Sequence, residues 1–468
     1  MLENYLSSLS YKSIQVVDLF SGCGGLSYGF KEAGCEIVSG IELDTEAAIT
    51  ASYNLHWKEG VDREHFCKDI RNVNIKEIKQ TIDYSRPLMV IGGPPCQAYS
   101  RAGIAKLRSL GEDRIHTKDG RGMLYQDFIN FAIELNADWV VMENVLEATN
   151  YGGKNIPEIA CEILKSNSYS AGWTILNAAD FGVPQTRERV FMVASKNKEV
   201  GVNILPAPTH KAINNKITQG KKRINKFKNL PFFLEPKEPR KPINEWVSTR
   251  EALSDLPSLH KSSKSNYRYY PLNVNLPYIS EPENSFQRLM RRKKSVSDSV
   301  VTGHGYRKTL RDFPIFERME PGDNYLKAHE IAEDIFEKHC ERYEINPSKH
   351  YKLYEEEKKK FVPPYSRDKF FGKWTKLHPD LTSHTLTAHL STDTYSHIHP
   401  WESRGISVRE AARLQSFPDD FIFQCGMSEA YKQIGNAVPP LLAKALASSI
   451  CDFEFQTEID SKVSEMRK

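Results

Sequence analysis

Four short apolar runs within the first 150 residues each stop at a turn carrying glycine or an acid, a rhythm that points to an open, mostly parallel α/β sheet. The first, Val16-Val17-Asp18-Leu19-Phe20, passes into Ser21-Gly22-Cys23-Gly24-Gly25-Leu26 and then a helix-like stretch from Ser27 to Ala33. Strand, glycine turn and helix in that order open a nucleotide-binding βαβ unit. The second, Ile37 to Ile41, ends at Glu42, about 20 residues past the glycines, where such sheets place an acid on ribose hydroxyls. The third, Leu88 to Ile91, delivers Gly92-Gly93-Pro94-Pro95-Cys96-Gln97, and the fourth, Ala137 to Met142, delivers Glu143-Asn144-Val145. Ligands of such sheets bind beyond the carboxyl ends of the strands, so these turns should share one crevice.

Cys96 is the most informative of these groups. A lone cysteine is usually a buried small hydrophobe. Here two prolines stiffen its turn and remove two backbone donors, while the preceding glycines let another molecule approach closely. Further on, Gln185-Thr186-Arg187-Glu188-Arg189-Val190 puts two arginines on one side of a strand by period 2. Gln433-Ile434-Gly435-Asn436-Ala437-Val438-Pro439-Pro440 then precedes a helical run from Leu441 to Ile450.

With 468 residues and 40% hydrophobic content, the chain should form at least two domains. No continuous apolar run of 18 residues is present, and Met1 to Ser13 lacks a basic-then-apolar leader, so neither membrane spanning nor secretion is expected. Eight cysteines without a Cys-x-x-Cys pair fit a reducing compartment. His384, His389, His397 and His399 lack the cysteine or carboxylate that would complete a ligand set, so no metal is expected. Net charge is only +4, but residues 201–380 hold 35 Lys/Arg against 23 Asp/Glu, leaving the rest net acidic. The clusters are Lys221-Lys222-Arg223 with Lys226 and Lys228, then Arg288 to Lys294 with Arg291 and Arg292, and Tyr267, Tyr269 and Tyr270 lie between them. Such a surface suits phosphate neutralisation. Arg409 and Arg413, four apart on a helix with Glu410, read instead as a structural ion-pair face.

Taken in order, these blocks resemble the cytosine-C5 DNA methyltransferase family, over roughly residues 13 to 197 and 366 to 450. The resemblance implies a Rossmann-like S-adenosylmethionine-dependent methyltransferase sheet with a separate, irregular β-rich target-recognition lobe. It assigns Phe20, Gly22, Gly24, Gly25 and Leu26 to the first cofactor block, Glu42 and Leu43 to ribose and adenine, and Asp69 and Ile70 to the adenine edge. Pro94, Asn436 and Val438 would complete the cofactor site. Cys96 would be the nucleophile, Glu143 the acid that binds cytosine, and Arg187 and Arg189 partners of the base and the catalytic loop; Ser100 to Gly122 matches that loop and is longer than usual. Thr385 to His389 and Ser407 to Pro418 resemble the block that braces the recognition domain.

The chemistry explains these residue types. Carbon 5 of cytosine is too weak a nucleophile to take a methyl from a sulfonium, and thiolate attack at carbon 6 makes the ring electron-rich. A nearby arginine favours the thiolate. A carboxyl kept protonated by burial can donate to ring nitrogen 3, and an arginine can hold the carbonyl oxygen at carbon 2. The base must leave the duplex first.

The implied domains are 1–197, catalytic and cofactor-binding; 198–376, target recognition, with a helical insertion near 325–360; and 377–468, the bracing block and the return to the catalytic domain. The implied activity is that of a DNA (cytosine-5-)-methyltransferase acting on double-stranded DNA. The expected setting is a cytoplasmic monomer, associated with the nucleoid through DNA. A cognate restriction endonuclease would be its functional partner without a stable complex. Two other readings stay open: a transfer-RNA cytosine-C5 methyltransferase of the same lineage, and a catalytically inactive DNA-binding regulator.

Overall fold

The structure is a computed structural model. It describes residues 13–95, 124–212, 219–239, 241, 243–259, 269–292, 300–307, 309, 311–364 and 373–466. Cys96 and the stretch Ser100 to Gly122 lie outside the described residues. Two compact units are present, one made of residues 1–246 and 437–468 and the other of residues 247–436.

The first unit is built on a seven-stranded sheet. Its strands are β1 (Gln15–Leu19), β2 (Glu36–Glu42), β3 (Phe66–Cys67), β4 (Leu88–Gly92), β5 (Trp139–Val145), β6 (Ser170–Asn177) and β7 (Glu188–Ser195), in the spatial order β3-β2-β1-β4-β5-β7-β6. The first five run parallel, and β7 inserts antiparallel between β5 and β6. The order reverses at β1, so the crevice beyond β1 and β4 is the topological switch point of the sheet. Strands buried on both faces read as continuous apolar runs, and Val16, Val17, Leu19, Met89, Val90, Ile91, Val140 and Val141 are all solvent-free. Helices α1 (Gly25–Glu32), α2 (Thr45–Leu55), α3 (Leu124–Glu134) and α4 (Ile156–Ser166) fill the crossovers.

The C-terminal helix Pro440–Met466 returns to this unit and lies on α1. Gly29 permits the approach: a Cβ there would stand 2.4 Å from Ala443 Cβ and 2.5 Å from the Pro440 carbonyl. The interval 427–456 is long and apolar enough to span a membrane by length and composition. It is interrupted at Ala437–Pro439, and Leu442, Ala443, Leu446, Ala447 and Ile450 of its second half are fully buried. That pattern is the core-facing side of a helix in a packed domain.

Residues 198–246, expected in the recognition lobe, group with the sheet. The physical reason is aromatic. Phe227 and Phe233 pack on the buried Trp173 of β6, with ring centroids 5.2 and 4.8 Å away, and the Trp246 indole N–H donates to Asp180 at 2.8 Å.

The second unit is irregular, as expected, but β-rich does not describe it. Among its described residues the ladders are two residues long, Tyr269–Tyr270 with Tyr306–Arg307 and Leu276–Pro277 with Val300–Val301, and helices outweigh them. Helices Tyr325–Arg342 and Tyr351–Phe361 occupy the place of the expected helical insertion.

Buried ion pairs hold this unit together. Arg413, on the helix Val408–Leu414, donates to Asp255 at 2.6 Å and to both oxygens of Asp419 at 2.8 and 2.6 Å. Arg404 forks onto both oxygens of Glu410 at 2.8 and 2.7 Å, and Glu410 closes a capping box with Ser407. The expected ion-pair face of Arg409, Glu410 and Arg413 is corrected: all three are buried and none pairs with another, since Glu410 takes Arg404, Arg413 takes Asp255 and Asp419, and Arg409 donates to the carbonyls of Thr302, Pro418 and Phe421. Arg291 corrects a sequence expectation: assigned to a phosphate-facing cluster, it is buried, stacked 3.8 Å over the Tyr278 ring and 3.6 Å from Asp255. Lys293 and Lys294 of that cluster lie outside the described residues, as does Tyr267. Since removing one partner strands a buried charge, Arg413→Ala should cost about 3–5 kcal/mol. In a calorimetric scan the transition of this unit should drop markedly; a melting profile like that of the parent would show the network to be energetically neutral.

Candidate functional site at the carboxyl ends of the strands

The turn after β1 is shaped by three left-handed residues, Phe20, Gly22 and Gly24, at φ of 62°, 54° and 86°. Phe20 lacks the freedom of glycine there, a sign that its surroundings hold the backbone. Gly22 N–H donates to Glu42 Oε2 and Asp44 N–H to Glu42 Oε1, both at 2.8 Å. Glu42 therefore locks the glycine turn to the end of β2. Burial raises its carboxyl above the ordinary range, opposed by those two donated bonds. Gly24 packs on α2, where a Cβ would meet Leu55 Cδ1 at 3.1 Å; at Gly22 a Cβ would meet no atom within 4 Å.

These residues fit S-adenosylmethionine. A carboxylate offers about four lone-pair sites, so Glu42 keeps acceptor capacity toward a ribose after binding backbone amides. Leu43 beside it is 67% exposed and free to cover a flat ring, whereas Leu26 and Ile70 are buried. Asp69 has both oxygens engaged by Arg71, at 2.9 and 2.5 Å, which hold its carboxyl below the usual range. Its expected contact with adenine would have to share those atoms. Asn436 is exposed at the end of the helix Met427–Asn436 in the second unit, whereas Val438 is buried in the first.

The acid and the arginines come together. Glu143 on β5 and Arg189 on β7 form an ion pair, Nε to Oε1 3.0 Å, with both side chains nearly buried. Burial raises the Glu143 carboxyl, and the charges of Arg189 and Arg187 oppose the rise without cancelling it. The strand expected through Arg187 breaks there, between Gln185–Thr186 and β7, and Arg187 is fully buried rather than lying beside Arg189 on one ladder. From β4, a Cβ at Gly93 would stand 3.1 Å from Glu143 Oε2. Asn144 donates to the Pro94 carbonyl at 3.4 Å. The proline turn leading to Cys96 therefore leaves β4 directly against the carboxylate.

Sequence reasoning missed the support beneath the glycine turn. Asp18 is buried in β1 and accepts a 2.5 Å hydrogen bond from Ser27 in the first turn of α1. Its burial, with a smaller push from Glu42, raises its carboxyl to about 7. His65 shares a 2.9 Å hydrogen bond with Ser21 and lies against Gly40, where a Cβ would stand 2.1 Å from Nδ1; burial lowers it to about 3, so it is neutral. An acid inside an otherwise apolar strand was the available signal for Asp18. His65 lacked one, since its partner lies 44 positions away.

Because the Asp18 carboxyl is raised in the folded protein, the proton-linked stability is full below about pH 4 and is lost as pH rises through about 7. Asp18→Asn keeps an acceptor for Ser27 and removes the titration. Its melting temperature should vary less than the parent's between pH 5 and 8, with the variant gaining relative stability at pH 8. Parallel pH profiles for the two proteins would contradict the assignment.

A profile of the family described as C-5 cytosine-specific DNA methylase matches residues 14–452. A chain of Oceanobacillus iheyensis with the provisional name type II methyltransferase M.OihORF3336P is 50% identical over 451 residues, covering 95% of this chain and 96% of that one. Type II methyltransferase M.DdeI of Desulfomicrobium norvegicum is 31% identical over 449 residues, 93% of this chain and 88% of the relative. The fold is shared with a crystal structure provisionally described as a prophage-encoded DNA modification methyltransferase of Escherichia coli, at TM-score 0.62 and 21% identity, over 95% of this chain and 100% of that one. With the family profile matched over nearly the whole chain and a relative 50% identical along it, the chain belongs to the C-5 cytosine-specific DNA methylase family.

Proposed function

We propose that the carboxyl-end site of the first unit carries out methyl transfer from S-adenosylmethionine to carbon 5 of a cytosine extruded from double-stranded DNA, with Cys96 as nucleophile. The observation that carries this reading is the approach of Gly93 to Glu143, which starts the cysteine turn against the acid. Bound S-adenosylmethionine supplies an electrophilic methyl on a sulfonium. Phe20, Gly22, Gly24, Gly25, Leu26, Glu42, Leu43, Asp69, Ile70 and Pro94 would hold it, with Val438 of the same unit completing its surroundings.

The Cys96 thiolate attacks carbon 6 of the extruded ring. Negative charge then grows on the ring, and a protonated Glu143 donates to nitrogen 3. Burial favours that protonated form. Arg189 orients the Glu143 carboxyl through the 3.0 Å pair, and Arg187 adds positive charge nearby, which favours both the thiolate and the developing anion. Carbon 5, now electron-rich, would take the methyl from the sulfonium; loss of the carbon-5 proton to a base then re-forms the ring double bond and expels the Cys96 thiolate, and the nitrogen-3 proton returns to Glu143.

The role in the cell follows as a proposal too: protection of host DNA from a cognate restriction endonuclease, by a cytoplasmic monomer that meets the nucleoid through its substrate. Bisulfite sequencing of DNA from cells expressing the chain tests the whole reading. It should reveal one short sequence converted at a fixed cytosine, and labelled methyl should enter duplex DNA rather than transfer RNA. The opposite preference would move the protein to RNA.

Cys96→Ala should abolish methyl transfer, a loss of at least about 10³-fold, while cofactor affinity stays near the parent value; retained turnover would remove the nucleophile assignment. On duplex containing 5-fluorocytosine at the target, where the carbon-5 substituent cannot leave, the parent protein with cofactor should form a covalent complex stable to denaturation. Its absence at a confirmed target site would count against the adduct.

A further inference from the structure

One strongly charged element takes no part in this chemistry. Residues Gln219–Phe227 form a helix that presents Lys221, Lys222 and Lys226 to solvent, with Arg223 half-buried. It is fixed to the sheet at its carboxyl end, where Phe227 packs edge-on against Trp173 and Trp173 donates to Glu158 at 2.5 Å. The chain that follows covers the free edge of β6: Trp173 N–H donates to the Phe232 carbonyl and Leu234 N–H to the Trp173 carbonyl, each at 2.8 Å. A nine-residue helix is marginal by itself, so this aromatic anchor is what holds the cations in place.

The charge on the helix is not balanced locally. Lys228 pairs with Glu235 at 2.8 Å, but among the described residues no carboxylate pairs with Lys222, Arg223 or Lys226. Lys222 and Lys226 are four apart, a like-charge spacing that destabilises a helix. A polyanion would relieve that repulsion. The helix also lies at the reacting end of the sheet. Lys221 is close enough to act on the carboxyl of Asp180, which burial raises to about 6 and which the Trp246 bond and Lys221 draw back. Asp180 follows directly on the carboxyl end of β6, and β6 is two strands from β5 and Glu143. Two strand spacings are about 10 Å, the length of about three base pairs of duplex, and the helix packs outside that edge strand, so its cations lie farther out, beside the flanking pairs.

We propose that the helix Gln219–Phe227 is a DNA-contacting surface of the catalytic unit, in which Lys222, Arg223 and Lys226 bind phosphates of the duplex flanking the target cytosine. The inference rests on the DNA methyltransferase reading. It gives the catalytic unit its own share of the backbone grip, separate from the unit at 247–436.

The test uses the full chain with Lys222→Ala, Arg223→Ala and Lys226→Ala combined, substitutions on a solvent face that favour helix. Two duplexes carry the target sequence found by bisulfite sequencing, one with flanks of about 15 base pairs and one trimmed to about three. On the long duplex the slope of log K against log salt should fall by about 2 to 3, with affinity at low salt down about tenfold and kcat unchanged. On the trimmed duplex variant and parent should bind alike, and a Lys222→Arg, Lys226→Arg protein should behave as the parent on both. An unchanged salt slope on the long duplex overturns the proposal, as does an equal loss on the trimmed one. A parent protein that methylates neither duplex would overturn the methyltransferase reading instead, so the two failures are told apart.

Discussion

The antiparallel insertion of β7 between β5 and β6 fixes where the reacting groups stand. Its register pairs Glu143 with Phe191 and Val145 with Arg189, so Glu143 and Arg189 are diagonal neighbours, a separation that long side chains bridge. The 3.0 Å ion pair follows from that register. A slip by one residue would turn Arg189 to the other face of the sheet. The pair also explains how an acid can be buried here at all. Desolvation pushes Glu143 toward its protonated form, the arginines oppose it, and the carboxyl is held in place whichever form it takes.

On the other side of the switch point, a chain of polar contacts braces the glycine turn from below. Glu42 takes two backbone amides, Asp18 ties β1 to the first turn of α1 through Ser27, and neutral His65 holds Ser21 over a glycine that leaves room for its ring. Each group is buried or nearly so and ties the turn to another strand or loop, although Asp18 Oδ1 and His65 Nε2 are buried without a hydrogen-bond partner. The turn is therefore preorganised: its left-handed residues are held by hydrogen bonds from outside the turn, so a ligand bound there need not order it.

The second unit solves a different problem. Its described strands are too short for a sheet to define its shape, and buried arginine–carboxylate forks do so instead. Arg413 joins residues 255 and 419, Arg404 joins 402 and 410, and His304 reaches both Ser407 and the Pro257 carbonyl. Gly435 carries the same logic to the end of the unit, packing so closely on Thr387 that a Cβ would stand 2.2 Å from its carbonyl carbon. Two blocks that sequence reading associated only by resemblance are in this way physically joined.

By itself the sequence determined the sheet and the positions of its reactive turns, because buried parallel strands are written as uninterrupted apolar runs and their carboxyl-end turns as glycine, proline and acid. Val16 to Phe20, Ile37 to Glu42 and Leu88 to Gly93 were legible on those grounds, and so was the helical pair after Tyr325. Tertiary structure decided what each polar group touches. Arg291 belonged to a basic run yet is spent inside the protein on Asp255 and Tyr278, while Lys222 and Lys226, in another basic run, stand in water on a helix anchored by Trp173. Both runs are strongly basic; burial differs because an apolar anchor or a carboxylate dozens of residues away either meets the side chain or does not, and local sequence carries no record of that meeting.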